Sequence, residues 1–525
     1  MPEGPATHGA AADGPPAAEA PAGSPWPPPL PPVDVAADDE ALARVEQVSA
    51  AGPFRPAWDS LVGYQVPDWY RDAKFGIFVH WGAYSVPAFG NEWYPRTMYK
   101  EGTPEHAHHL RTYGEAFGYK DFLPMFTADR FDADAWASLF AAAGAQFVVP
   151  VAEHHDGFAM YETSRSRWKA PQLGPRRDVI GELADAVRRR WMVFGLSSHR
   201  AEHWWFMGAG GPGTDVHDPA FADFYGPASR QDAPPNEQFL QDWLLRTTEL
   251  VDRYRPQLVW FDWWVEQPAF EPYLRTFASY YNEAARWRRG VVVNYKWDAF
   301  APGAAVYDVE RGGMADQRPD VWQNDTSVSR TSWGWVEGHD WKSVADLVAE
   351  LVDVVAKNGV LLLNVGPKPD GTIADEEAAL LRGLGRWLAV HGEAVYGTRP
   401  WRVAGEGPTE QVEGSFTDGT PVSFGSRDLR FTSRSDVTGS YVYATALGWP
   451  GEGRLRIRSF GRGAGLLAPR VAALSVLGHA GPVEWTLTDD ALEVLLPRER
   501  PSEHGVTVKL RLERPAPARR TDQFH

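Results

Sequence analysis

The stretch LVWFDWW, residues 258–264, closes an apolar run on a single carboxylate, Asp262, with Trp260, Trp263 and Trp264 around it. A buried strand that ends this way delivers a reactive group to a pocket mouth, which makes Asp262 a candidate nucleophile. The competing reading is a carboxylate that caps a strand or the next helix. Acid chemistry at a glycosidic bond needs a second carboxyl group facing the first. Glu310, in VYDVER, is that candidate, and Glu92, Glu153 and Asp156 are the other carboxylates near the ends of apolar runs. Arg311 follows Glu310 directly, so a structural ion pair is the alternative there. Imidazoles collect in similar places: His80, the pair His154 and His155, and His199. They can donate to sugar hydroxyls without a cofactor. Two adjacent strand residues face opposite ways, so His154 and His155 reach one metal ion only if the strand bends. The first strand has no H-x-H and no helix has H-E-x-x-H, and we expect neither metal nor cofactor. Ser197 and Ser198 lie in no G-x-S-x-G turn and read as supporting donors.

These groups need a scaffold that brings scattered run ends together. Eight apolar runs fall at 74–81, 146–155, 193–199, 258–264, 290–297, 305–311, 321–328 and 360–366, the sixth and seventh short and polar. Helix patterns separate the others at 133–143, 181–191, 236–254 and 343–357, and a last one spans 375–391. Nearly every run keeps its polar group for its C-terminal end, where a (β/α)8 barrel builds its active site. A doubly wound sheet would also place ligands there, but the first strand is not followed by a Gly-rich phosphate turn. The expected fold is a (β/α)8-like barrel over 56–400. After Trp401 the pattern changes to short alternating runs between Gly, Asp and Pro, which predicts an antiparallel β-sandwich of about seven strands over 401–525. Residues 1–55 are rich in Pro, Ala and Gly and read as a disordered tail, and Pro515 to His525 read as frayed.

Composition narrows the partners. A formal net charge of −17 and a pI near 5.4 argue against nucleic acid and anionic membranes. The 24 Trp and 18 Tyr supply flat apolar faces that suit the C–H faces of sugar rings, as well as large cores. With no cysteine, disulfides, thiolate metal sites and thiol nucleophiles are excluded. No basic start precedes an apolar run and no segment approaches a membrane span, so a cytoplasmic location is expected.

The motifs AKFGIFVHWGAYSVPAFGNEWYPRTMY, AGAQFVVPVAEHHDGFAMYET, YRPQLVWFDWW, SWGW and NGVLLLNVGPKPDGTI, in this order between Pro67 and Trp401, resemble the retaining α-L-fucosidases of glycoside hydrolase family 29. The resemblance implies a barrel followed by a sandwich, a fucosylated oligosaccharide or glycoside as substrate, Asp262 as nucleophile and Glu310 as acid and base. It implies that His80, Glu92, Trp93, His154 and His155 hold fucose hydroxyls, and that Trp260, Phe78 and Trp333 wall the sugar and its C6 methyl group. The chain departs from the family pattern in three places. Ser198 stands where many members have Tyr, with His199 and His203 close enough in sequence to refill the space. Lys296 stands where Arg is common, and Gln323 where some members have Glu after a Trp. A related α-L-glycosidase, such as an α-L-galactosidase, and a sugar-binding protein without catalysis are the alternative functions.

Overall fold

A computed structural model describes residues 27, 29, 35–284, 290–418, 423–467 and 470–513. Each of the eight runs forms a strand: β1 (Phe75–Val79), β2 (Phe147–Glu153), β3 (Val193–Ser198), β4 (Leu258–Phe261), β5 (Val292–Tyr295), β6 (Val306–Glu310), β7 (Trp322–Ser327) and β8 (Gly359–Val365). They close in sequence order into one barrel with parallel neighbours. Strands covered on both faces need continuous apolar sequence. The barrel interior is correspondingly filled by Phe78, Phe147, Val149, Leu258, Trp260, Val292, Val306, Val360 and Leu362. Strand β7, WQNDTS, is buried along its whole length despite its polarity. Its side chains are bonded on both faces: Gln323 Nε2 donates to Asp308 Oδ1 inside the barrel, while on the outer face Asn324 Nδ2 donates to Glu350 Oε1 and Thr326 Oγ1 accepts from Lys342 Nζ. A polar strand survives burial when its groups find partners.

The outer layer is built from α1 (Val35–Ala51), α2 (Ala133–Ala142), α3 (Val179–Arg189), α4 (Glu237–Tyr254), α5 (Glu271–Ala284), α6 (Val344–Ala356) and α7 (Asp375–His391). Asp132 and Asn236 cap α2 and α4 by accepting from Ala135 N and Phe239 N, and Ser343 with Asp346 forms a capping box on α6. No helix separates β5 from β6 or β6 from β7.

Helix α1 corrects the reading of 1–55 as a disordered tail. Its apolar residues recur at helical spacing, Val45 and Ser49 are buried, and Ser49 Oγ donates to Thr276 O of α5. The Pro- and Ala-rich bias of the preceding residues masked that short amphipathic pattern; residues 1–26, 28 and 30–34 lie outside the described residues.

The C-terminal part is a sandwich of two antiparallel sheets. One has the order β13-β16-β11-β10-β9 and the other β12-β15-β14, with β9 (Arg399–Glu406), β10 (Leu429–Asp436), β11 (Gly439–Ala446), β12 (Arg454–Ile457), β13 (Val471–Val476), β14 (Trp485–Leu487), β15 (Leu492–Leu495) and β16 (Val506–Leu512). Its core gathers Trp401, Phe431, Val442, Ile457, Phe460, Leu492 and Val508. Strand β9 is the addition to the seven expected, and it crosses the expected boundary at 400/401. Its opening Arg-Pro reads as linker, which hid it. The sandwich is fastened to the barrel by a buried pair between Arg430 and Asp353 of α6, and by Trp387 Nε1 donating to His504 O. Pro515 to His525 lie outside the described residues. No described helix is long and apolar enough to cross a membrane.

Candidate active site

The C-terminal ends of the barrel strands converge on one pocket of about 460 Å³. His80 follows β1, His154 and His155 follow β2, His199 follows β3, Asp262 follows β4, Lys296 follows β5, and Glu310 ends β6. All of these line the pocket, together with Glu92, Trp93, Trp260 and Trp333. Phe78 does not. It is fully buried beneath the pocket, its ring 4.5 Å from that of His80 and 5.0 Å from that of Trp260. Residues two apart share a strand face, so Phe78 lies one layer below His80 and packs against the side chains that line the pocket.

Lys296 stands between the two carboxylates. Its Nζ is 3.0 Å from Asp262 Oδ1 and 2.5 Å from Glu310 Oε2, so these oxygens lie no farther apart than the sum of the two distances, about 5.5 Å. The ammonium also lies 4.6 Å above the Trp260 ring and 3.7 Å from Asp325 Oδ2. Arg311 takes no part: it pairs with Asp418 and bonds the carbonyls of Ser329 and Arg330, so the suspected Glu310–Arg311 pair is not what holds Glu310.

The surroundings push the two carboxyl groups apart in acidity. Burial alone would raise Asp262, but the Lys296 ammonium and the His199 hydrogen bond hold it well below the usual carboxylate range. Burial raises Glu310, and the neighbouring Asp262 charge adds to the rise against the pull of Lys296. Asp262 is therefore the more readily ionised of the two and Glu310 the weaker acid, the ordering an acid-assisted displacement requires. Beneath them, burial also raises Asp308 and lifts Asp325 far above its ordinary value. Asp308 accepts from Trp260 Nε1 at 3.1 Å and from Gln323 Nε2 at 2.8 Å, so Gln323 belongs to the floor.

The imidazoles are fixed from behind. Asn364 Oδ1 accepts from His80 N and lies 2.7 Å from His80 Nδ1, while Asn364 Nδ2 donates to Trp333 O. Glu92 Oε2 accepts from Trp333 N and Ser332 Oγ, tying the SWGW loop to the first rim segment. His199 Nδ1 is 3.1 Å from Asp262 Oδ2 and its Nε2 is 3.1 Å from Ser197 Oγ. His203 stays outside the pocket lining and bonds His155 O. The adjacent His154 and His155 both reach the pocket, with ring centroids 4.2 Å apart, because they stand past the end of β2 where strand alternation stops. Burial lowers all four imidazoles, His199 to about 4, and keeps them neutral donors and acceptors.

Two sets, His80–His154–His199 and His155–His199–Asp262, bring potential metal-ligand atoms within 4.8 Å of one another. Both nitrogens of His199, common to the two sets, are already engaged by Asp262 and Ser197.

Other carboxylates are accounted for elsewhere. Glu153 is held by Arg200 and Arg246, and Asp156 accepts from Tyr119 Oη and Phe158 N. Glu266 does not line the pocket. Trp263, noted beside Asp262, does, and sequence reasoning missed Asn91, Trp297, Asp325 and Phe416, which line it too. It also missed Glu202, fully buried, whose Oε2 is 3.5 Å from His155 Nδ1 behind the pocket. Asp325 could have been found inside the VWQNDTSV run; Phe416, in the segment before β10, carries no signal of a barrel site.

The chain is similar to known proteins over both of its parts. The profile described as Alpha-L-fucosidase matches residues 41–393, and that of the Alpha-L-fucosidase C-terminal domain matches 424–512. Human tissue alpha-L-fucosidase is 32% identical over 486 residues, covering 89% of this chain and 95% of the human protein. Human plasma alpha-L-fucosidase is 33% identical, covering 86% and 90%. The crystal structure of Thermotoga maritima alpha-fucosidase in complex with fucose superposes with a TM-score of 0.70 at 29% identity, covering 87% of this chain and all of the other.

Proposed function

The chain belongs to the alpha-L-fucosidase family, and we propose that this glycoside hydrolase releases terminal α-L-fucosyl residues by double displacement, with Asp262 as nucleophile and Glu310 as acid and base. In the first step an Asp262 oxygen attacks the anomeric carbon, the bond to the leaving oxygen breaks, and Glu310 gives that oxygen its proton. In the second, water attacks the same carbon from the vacated side and yields a proton to Glu310 as the ester to Asp262 breaks. The observation that carries this reading is the placement of both carboxylates on Lys296 Nζ, which keeps their facing oxygens within about 5.5 Å. Retaining enzymes hold their carboxyl groups about 5–5.5 Å apart, whereas inverting ones need about 6.5–9.5 Å to admit a water.

Around the pair, His80, His154, His155 and Glu92 hold the sugar hydroxyls, while Trp93, Trp260 and Trp333 present apolar surface to the ring and its methyl group. Neutral imidazoles suit that task because each offers one donor and one acceptor. The test is the anomer first released from an aryl α-L-fucoside, read by proton magnetic resonance before mutarotation. α-L-Fucose as the first product supports double displacement; β-L-fucose rejects it.

A further inference from the structure

Two large aromatic side chains stand in solvent at the mouth of this pocket: Trp297, 53% exposed, and Phe416, 61% exposed. Single exposed aromatics are ordinary. These two share one cavity, and both hold left-handed backbone, with φ of 56° and 59°. Bulky residues avoid that conformation, so at both positions the surrounding structure holds the backbone.

They come from different parts of the chain. Trp297 follows Lys296 directly, whereas Phe416 lies in the connection from β9 to β10 of the sandwich. That connection is stitched to the residues around Glu310. Phe416 N donates to Glu310 O at 2.8 Å, and Thr417 N and Asp418 N both donate to Arg311 O. Gly313 and Gly414 exchange N–H donors at 3.1 and 2.9 Å, and a Cβ on Gly312 would stand 1.8 Å from Gly414 O. The Asp418 carboxylate is gripped by Arg311, Lys342 and Thr326. Phe416 is thus held beside the acid by backbone bonds, although its ring is free of the core.

We propose that Trp297 and Phe416 form the leaving-group subsite, which takes the pyranose or aryl ring bonded to the fucose anomeric oxygen, so that the sandwich supplies part of the substrate site. This rests on the assignment of Glu310 as acid, because a general acid stands on the leaving-group side. The inner pocket has its own imidazoles, carboxylates and three tryptophans, Trp93, Trp260 and Trp333, around the fucosyl ring. The rim next to Glu310 adds two further, solvent-facing aromatic rings, which suit the C–H face of a second ring.

The test compares kcat/KM for 4-nitrophenyl α-L-fucoside, which carries a leaving-group ring, with that for α-L-fucosyl fluoride, which carries none. In Phe416→Ala and in Trp297→Ala the ratio of the two should fall about tenfold, mainly through KM for the aryl substrate. Phe416→Tyr, which keeps the ring, should return the ratio to within about twofold of wild type. An unchanged ratio, or equal losses on both substrates, overturns the subsite. Failure of the unaltered enzyme on both substrates overturns the fucosidase reading, and the subsite with it.

Discussion

Lys296 contacts Glu310 at 2.5 Å while holding Asp262 at 3.0 Å with the same nitrogen. One ammonium therefore lowers the proton affinity of both carboxyl groups, and burial acts against it on each. Arginine, the commoner residue after this strand in the family the sequence resembles, would spread its charge over a fork, whereas lysine concentrates it at one point.

Removing that charge should move the whole pH profile. Activity needs Asp262 ionised and Glu310 protonated, so the acid limb reports the first and the alkaline limb the second. Lysine depresses both, so Lys296→Met should shift both limbs of kcat/KM to higher pH and lower the maximum by roughly 10²-fold or more. A profile that only loses height, with both limbs unmoved, would show that Lys296 does not set either acidity.

Chelation separates sugar-binding imidazoles from metal-binding ones. Because His199 Nε2 and Nδ1 are engaged by Ser197 and Asp262, we expect prolonged EDTA treatment to leave kcat/KM unchanged. Loss of activity that a divalent ion restores would assign the histidine sets to a metal.

A buried acid remote from the pair gives a stability prediction. Glu377 of α7 accepts from Gly366 N at 2.9 Å through Oε1, its Oε2 is buried without a partner, and burial pushes it up to about 8. Its folded value lies above its unfolded one, so the stability it contributes is complete below about pH 4.5 and is lost as pH rises through about 8. Glu377→Gln removes that titration. The difference in Tm between Glu377→Gln and wild type should grow in favour of the variant between about pH 5 and 8 and level off above that, and other titrating groups, Lys74 among them, cancel in the difference. A constant difference across that range would contradict the assignment.

Much of the site could be read from the chain because parallel strands buried on both faces are written as apolar runs, and their first polar residue marks the rim. That logic located His80, His154, His199, Asp262, Lys296 and Glu310. It reached even β7, whose polar residues find partners on both faces. It failed where position depends on a distant partner. Phe78, which the family resemblance and not the run ends brought forward, shares a strand face with His80 but lies a layer deeper. Phe416 belongs by sequence to the sandwich, and only the bonds from 414–418 to 310–313 bring it to the pocket. Helix α1 carries its apolar residues at helical spacing, but next to a Pro-rich stretch whose composition dominated the reading.

The central claim is that Asp262 and Glu310 attack and protonate from opposite faces of the anomeric carbon. Asp262→Gly should lose on the order of 10⁴-fold in kcat, and Glu310→Ala should be limited by breakdown of the fucosyl-enzyme on an activated substrate. Azide distinguishes the two roles by product stereochemistry. In Asp262→Gly the anion replaces the missing nucleophile and attacks the substrate directly, giving β-L-fucosyl azide. In Glu310→Ala it attacks the intermediate from the face the leaving group vacated, giving α-L-fucosyl azide. The most direct measurement is the anomeric configuration of the azide formed by each variant from an activated aryl α-L-fucoside. Opposite anomers, β from Asp262→Gly and α from Glu310→Ala, are the predicted result; the same anomer from both, or azide rescue of neither, would contradict the assignment.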